Sequence, residues 1–126
     1  MYKFFLQTGA VLGILGVSIG AFGAHGLRAK LEAAGRFDTF ETAVRYHFYH
    51  TFALVLVGVL MQQMASNPAA VKWLGYSGYS FLIGVLIFSG SLYILCLSGI
   101  TWLGAITPIG GLFMIAGWAL LWWAVR

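Results

Sequence analysis

The run Gly9-Ala10-Val11-Leu12-Gly13-Ile14-Leu15-Gly16-Val17-Ser18-Ile19-Gly20-Ala21-Phe22-Gly23-Ala24-His25-Gly26-Leu27 decides the fold. In a helix, Gly9, Gly13, Gly16, Gly20 and Gly23 follow at steps of four, three, four and three, which holds all five within roughly 80° around the axis. A glycine costs about 1 kcal/mol relative to alanine in a helix interior, so five on one face make sense only where another helix approaches the backbone closely. The stretch reads as a packing helix over about residues 4–24, with Gln7, Thr8 and Ser18 its only polar side chains before His25 and with Gly26 as its breaker.

Around this helix the composition leaves one solvent. Of 126 residues, 61% are hydrophobic and 8% charged, and the mean hydropathy is +0.92; so little charge on so apolar a chain places it in a membrane. Four crossings at about 20 residues each use most of the length, so residues 1–126 form a single transmembrane domain. The net charge of +4 does not mark a nucleic-acid binder, because the basic residues Lys3, Arg28, Lys30, Arg36, Arg45, Lys72 and Arg126 are scattered as membrane-border charges are. Cys96 stands alone, which excludes an intrachain disulfide and a thiolate cluster. The apolar run from Phe4 to Ala24 exceeds the roughly 7–15 residues of a signal-peptide core and reads as a retained helix.

Residues 27–45 hold four basic residues and all three acids, Glu32, Asp38 and Glu41. Gly35 divides this segment, Phe37, Phe40 and Val44 recur at helical spacing in its second part, and an interfacial amphipathic helix is expected here. A second span follows at about 46–64, and Ser66-Asn67-Pro68 gives a turn. The third span covers about 76–97, with Ser77, Ser80, Gly84 and Ser91 forming a second small-residue face. The fourth covers about 102–125, where Thr107-Pro108-Ile109-Gly110-Gly111 predicts a kink or a broken start. Trp118, Trp122, Trp123 and Arg126 read as an aromatic belt with a charge anchor. The expected fold is all-α, an integral membrane four-helix bundle with a short interfacial helix between its first two spans. Lys3, Lys72 and Arg126 lie on the side of the termini, against four basic residues on the other side; with charge nearly balanced, the signal-like first helix places the termini in the cytoplasm.

Chemistry is sparse in this chain. His25, His47 and His50 all fall at the same end of the first two spans, where zinc, copper or haem iron finds imidazole ligands. The simpler reading is a set of hydrogen bonds tying the polar segment to the helix ends. Topology gathers His25, Glu41, Arg45, Tyr46, His50, Thr107 and Pro108 at one membrane face as a structural polar cluster. The glycines lack the Gly-Lys-Ser/Thr ending of a phosphate loop, and Ser89-Gly90-Ser91 has no acid after Glu41 to complete a hydrolase set. With no charged residue in the cores of the last three spans, an ion-coupled transporter is also disfavoured.

Gly20-Ala21-Phe22-Gly23-Ala24-His25-Gly26-Leu27, then Phe40-Glu41-Thr42-Ala43-Val44-Arg45-Tyr46 with His50, Ser89-Gly90-Ser91-Leu92-Tyr93, and Thr107-Pro108-Ile109-Gly110-Gly111 with Trp118 together resemble the family called domain of unknown function 423, which is similar to the eukaryotic transmembrane protein 256. The resemblance covers essentially the whole chain in order. It implies a small four-helix inner-membrane protein of bacterial type with no assigned reaction and no catalytic residues. The reading is therefore a non-enzymatic membrane protein, with no cofactor, that is structural, lipid-binding or part of a larger complex. Its expected partners are membrane lipids and further copies or subunits, not nucleic acid. The alternatives are a metal or haem protein using His25, His47 and His50, and a small channel or transporter formed between protomers.

Overall fold

The computed structural model describes Met1–Arg126 as helices α1 (Tyr2–Ala24), α2 (Arg28–Ala33), α3 (Phe37–Gln63), α4 (Pro68–Ser98) and α5 (Thr107–Val125), with a 3₁₀ turn at Thr101–Ala105 before α5. Four of these, α1, α3, α4 and the turn with α5, are long and apolar enough to cross a membrane. There is no strand, and the chain is an all-α transmembrane four-helix bundle. The helices pack in series: α1 on α3, α3 on α4, and α4 on α5.

The glycine stripe of α1 meets α3 of the same chain. A Cβ added at Gly9 would strike Val55, at Gly16 the Phe48 ring, and at Gly23 the Phe40 ring, while Gly13 and Gly20 face Thr51 and Val44. Read antiparallel, Phe40, Val44, Phe48, Thr51 and Val55 step by four, four, three and four, so bulk on α3 fills what the glycines of α1 leave open. The stripe is thus taken within the chain and is not available for contact between copies.

The small-residue face of α4 is likewise taken internally. Ser77, Gly84 and Ser91 are buried against Gly117, Gly110 with Met114, and Thr107 of α5, in antiparallel order. On α5 the buried residues are Thr107, Gly110, Met114, Gly117, Leu121 and Ala124. They alternate three and four apart along one narrow seam, which leaves the rest of the helix to lipid.

Two boundaries differ from the sequence expectation. Gly35, whose φ of 67° suits glycine, divides the polar segment as expected, with α2 a single short helix that ends before it, but its second part is one helix with the second span, and α3 starts at Phe37 and not near residue 46. Nothing between Phe37 and Gln63 breaks a helix, and the Arg45–Glu41 pair, at 3.2 Å, supports its first turns. The third span begins earlier than expected, at Pro68, because proline suits a first turn and the Asn67 side chain accepts from the Ala70 N–H at 3.2 Å. The fourth span has the broken start expected of its proline: the 3₁₀ turn Thr101–Ala105 ends before α5, and Pro108 sits in the first turn of the new helix.

The polar segment and the connection from α4 to α5 share one end of the bundle. The Cys96 thiol donates to the Arg36 carbonyl, and the Arg36 guanidinium lies against Gly99, which ends α4 at φ 77°. A cation there meets the negative end of the α4 dipole. At the opposite end Met1 lies beside Gly75. There the Arg126 guanidinium also covers the Trp123 ring at 3.2 Å, and Trp123 meets Trp73 edge-on.

Candidate functional site

Helical spacing determines which way each polar side chain is tied. Residues two apart in a helix point to opposite sides, and Ser89 and Ser91 use this: Ser89 donates to the Ala43 carbonyl of α3 at 2.7 Å, and Ser91 shares a 2.7 Å hydrogen bond with Thr107 of α5. Farther along α4, Ser77 donates to the Gly117 carbonyl at 2.7 Å. Hydroxyls therefore bind α4 to both neighbours without any buried charge. No buried side-chain nitrogen or oxygen lacks a partner.

The histidines diverge. His47 places Nε2 at 2.8 Å from the Leu12 carbonyl of α1 and Nδ1 at 2.9 Å from the Tyr93 hydroxyl of α4. A carbonyl can only accept, so Nε2 carries the hydrogen and Nδ1 accepts from Tyr93. His50 is the opposite tautomer: its Nδ1–H donates to the Tyr46 carbonyl at 2.8 Å, and its Nε2 accepts from the Trp118 indole N–H of α5 at 3.2 Å. Both imidazoles are buried, and all four ring nitrogens are engaged. His25 is exposed at the end of α1, lining a shallow depression with Ser18, Ala21, Phe22 and Gly26. The structure brings no three potential ligands among histidine, cysteine and carboxylates together. A metal on His47 or His50 would have to displace one of these hydrogen bonds.

Of the expected polar cluster, Tyr46 and His50 stack on one another, Glu41 pairs with Arg45, and Thr107, beside Pro108 in the first turn of α5, joins Ser91. These are three local groups around the polar end and do not form one network; His25 joins none of them.

Sequence reasoning missed a second use of Trp118: one turn before Trp122 on α5, its indole N–H donates to His50 of α3, which makes it a tie between helices as well as an aromatic of this end of the span.

Trp118 closes one end of a groove between α3 and α5, lined by Tyr46, Tyr49, His50, Gly111, Met114, Ile115 and Trp118, with a volume of about 480 Å³. Behind it stand two phenylalanines of α4: Phe88 stacks on Tyr46 at 4.8 Å, and Phe81 meets Trp118 edge-on at 5.0 Å. Tyr49 is 57% and Trp118 46% exposed, so the groove opens sideways toward lipid. The sequence signal for it was the pairing of Tyr46-x-x-Tyr49-His50 with Gly111, a gap on α5 opposite aromatics on α3.

Four spanning helices laced by neutral side chains, with a lateral aromatic groove, define a small polytopic α-helical membrane protein. The chain belongs to the family described as "Protein of unknown function (DUF423)", which matches residues 19–111. It is similar to a UPF0382 membrane protein of Staphylococcus haemolyticus, at 46% identity over 94% of this chain and 92% of the relative. The UPF0382 membrane protein YwdK of Bacillus subtilis is 38% identical over 94% and 93%, and the UPF0382 inner membrane protein YgdD of Escherichia coli K12 is 37% identical over 94% and 86%. No solved structure matches the chain significantly.

Proposed function

We propose that this chain is a non-catalytic lipid-binding protein of the bacterial inner membrane that holds one lipidic molecule in the groove between α3 and α5. The observation that carries the reading is the groove itself. It has the size of a small-molecule site, is reached from the bilayer, is aromatic along α3 and at its Trp118 end, and carries no charged lining residue. A catalytic reading finds little support, because the candidate nucleophile Ser89 spends its proton on a backbone carbonyl and both buried histidines are occupied on each nitrogen.

Gly111 provides the test. It lines the groove, and a Cβ there meets nothing closer than the Phe88 ring at 3.8 Å. Gly111→Leu is therefore expected to fill the groove while the bundle folds. Native mass spectrometry of gently extracted protein should show one retained lipid per chain in the parent and none in the variant. Equal retention in both would overturn the proposal.

The inner-membrane location follows the name of the Escherichia coli relative. The orientation with both termini in the cytoplasm rests on the signal-like α1. A reporter fused after Arg126 that is active only in the cytoplasm is expected to be active; a silent fusion, with a periplasmic reporter active at the same site, would reverse the orientation.

A further inference from the structure

The chemistry of the groove narrows its ligand, provided that the groove is a lipid site as proposed above. It runs from Gly111, about 6 Å from the start of α5, to Trp118, about 10 Å farther along the same apolar helix. A phosphate there would need a cationic partner, and the lining has none. Arg45, one position before Tyr46, is outside the lining and already faces Glu41. The ligand head is therefore neutral.

It also has hydrogen-bonding work to do. Tyr46 and Tyr49 both line the groove, yet neither hydroxyl takes part in the bonds that tie the helices: Tyr46 contributes only its carbonyl, to His50. Two phenols side by side, with rings 5.9 Å apart and both hydroxyls free to donate, offer paired hydrogen bonds to an acceptor in the groove. The α3 wall is aromatic, with Tyr46 backed by Phe88, and on α5 Trp118 closes the far end, while Gly111, Met114 and Ile115 leave the rest of that wall flat and apolar. Flat rings stack on such walls.

We propose that the ligand is an isoprenoid quinone, or a lipid-soluble molecule of the same chemistry, with a flat, neutral, carbonyl-bearing head. The ring lies among Tyr46, Tyr49 and Trp118, its carbonyl oxygens accept from the tyrosine hydroxyls, and the tail leaves toward lipid.

The experiment compares a short-tailed naphthoquinone with phosphatidylglycerol of similar tail length, each titrated into purified protein in detergent and read by native mass spectrometry. The parent is expected to take one quinone per chain. Tyr46→Phe with Tyr49→Phe keeps both rings and removes only the hydroxyls; it should weaken quinone binding about tenfold or more and leave phosphatidylglycerol unchanged. An equal unfolding midpoint confirms that this variant folds as the parent does. Undiminished quinone binding by the double variant overturns the inference, as does a parent that binds phosphatidylglycerol but no quinone. A parent that retains neither, or whose groove is closed by a second copy in a dimer that Gly111→Leu dissociates, overturns the lipid-site reading as well.

Discussion

Alanine at Gly110 is expected to lower the unfolding free energy of the bundle by about 3 kcal/mol, at the upper end of overpacking effects. The added methyl would land on the backbone nitrogen and Cα of Phe88 in α4. Backbone on both sides leaves nothing that can rotate aside, so α5 must move off α4 along the whole Thr107–Ala124 seam. The neighbouring Gly111→Ala points into the groove, where the nearest atom is an ordinary contact away. It is expected to be neutral, or stabilising by up to about 1 kcal/mol through helix propensity. Unfolding in mixed micelles, followed by far-ultraviolet circular dichroism, separates the two; coincident midpoints for both variants would contradict the packing of α5.

His47→Leu is expected to cost about 2 kcal/mol. The imidazole joins three helices at once, donating to Leu12 of α1 and accepting from Tyr93 of α4. Leucine fills the volume but strands the Tyr93 hydroxyl, so the loss comes chiefly from an unpaired polar group. Adding Tyr93→Phe removes that hydroxyl and should recover about 1 kcal/mol, within the range found for interhelical pairs in membranes. If the two substitutions are simply additive in the same unfolding assay, the His47–Tyr93 bond carries no coupling.

The number of spans and the close approach along α1 were legible because both follow from local chemistry: apolar length sets one, and glycine spacing sets the other. The partner of the stripe was legible too, but only by matching it against the bulky series Phe40, Val44, Phe48, Thr51 and Val55. That match needs the antiparallel register, which the glycines alone do not supply. That the histidines make hydrogen bonds was legible, but their separate partners were not. At a spacing of three, His47 and His50 share a broad face of α3 yet sit at its two borders, and neighbours on both sides turn them apart. Trp118 resembled its companions Trp122 and Trp123 in type, and only its hydrogen bond to His50 of α3 sets it apart. Hydroxyl-to-carbonyl ties such as Ser89 to Ala43 leave no sequence signature beyond a serine in an apolar run.

The serial packing has a consequence for biogenesis. Among the spanning helices, α1 finds its main partner in α3, with Phe5 reaching Gly78 of α4. During synthesis α1 enters the bilayer before Phe48 and Val55 have left the ribosome, and until then its glycine furrow is coated by acyl chains. Docking of α3 is thus an exchange in which two or three side chains evict ordered lipid, and the freedom regained by those chains helps drive it. Assembly of this half of the protein should accordingly respond to acyl-chain order, slowing in fluid, highly unsaturated membranes, where less is released.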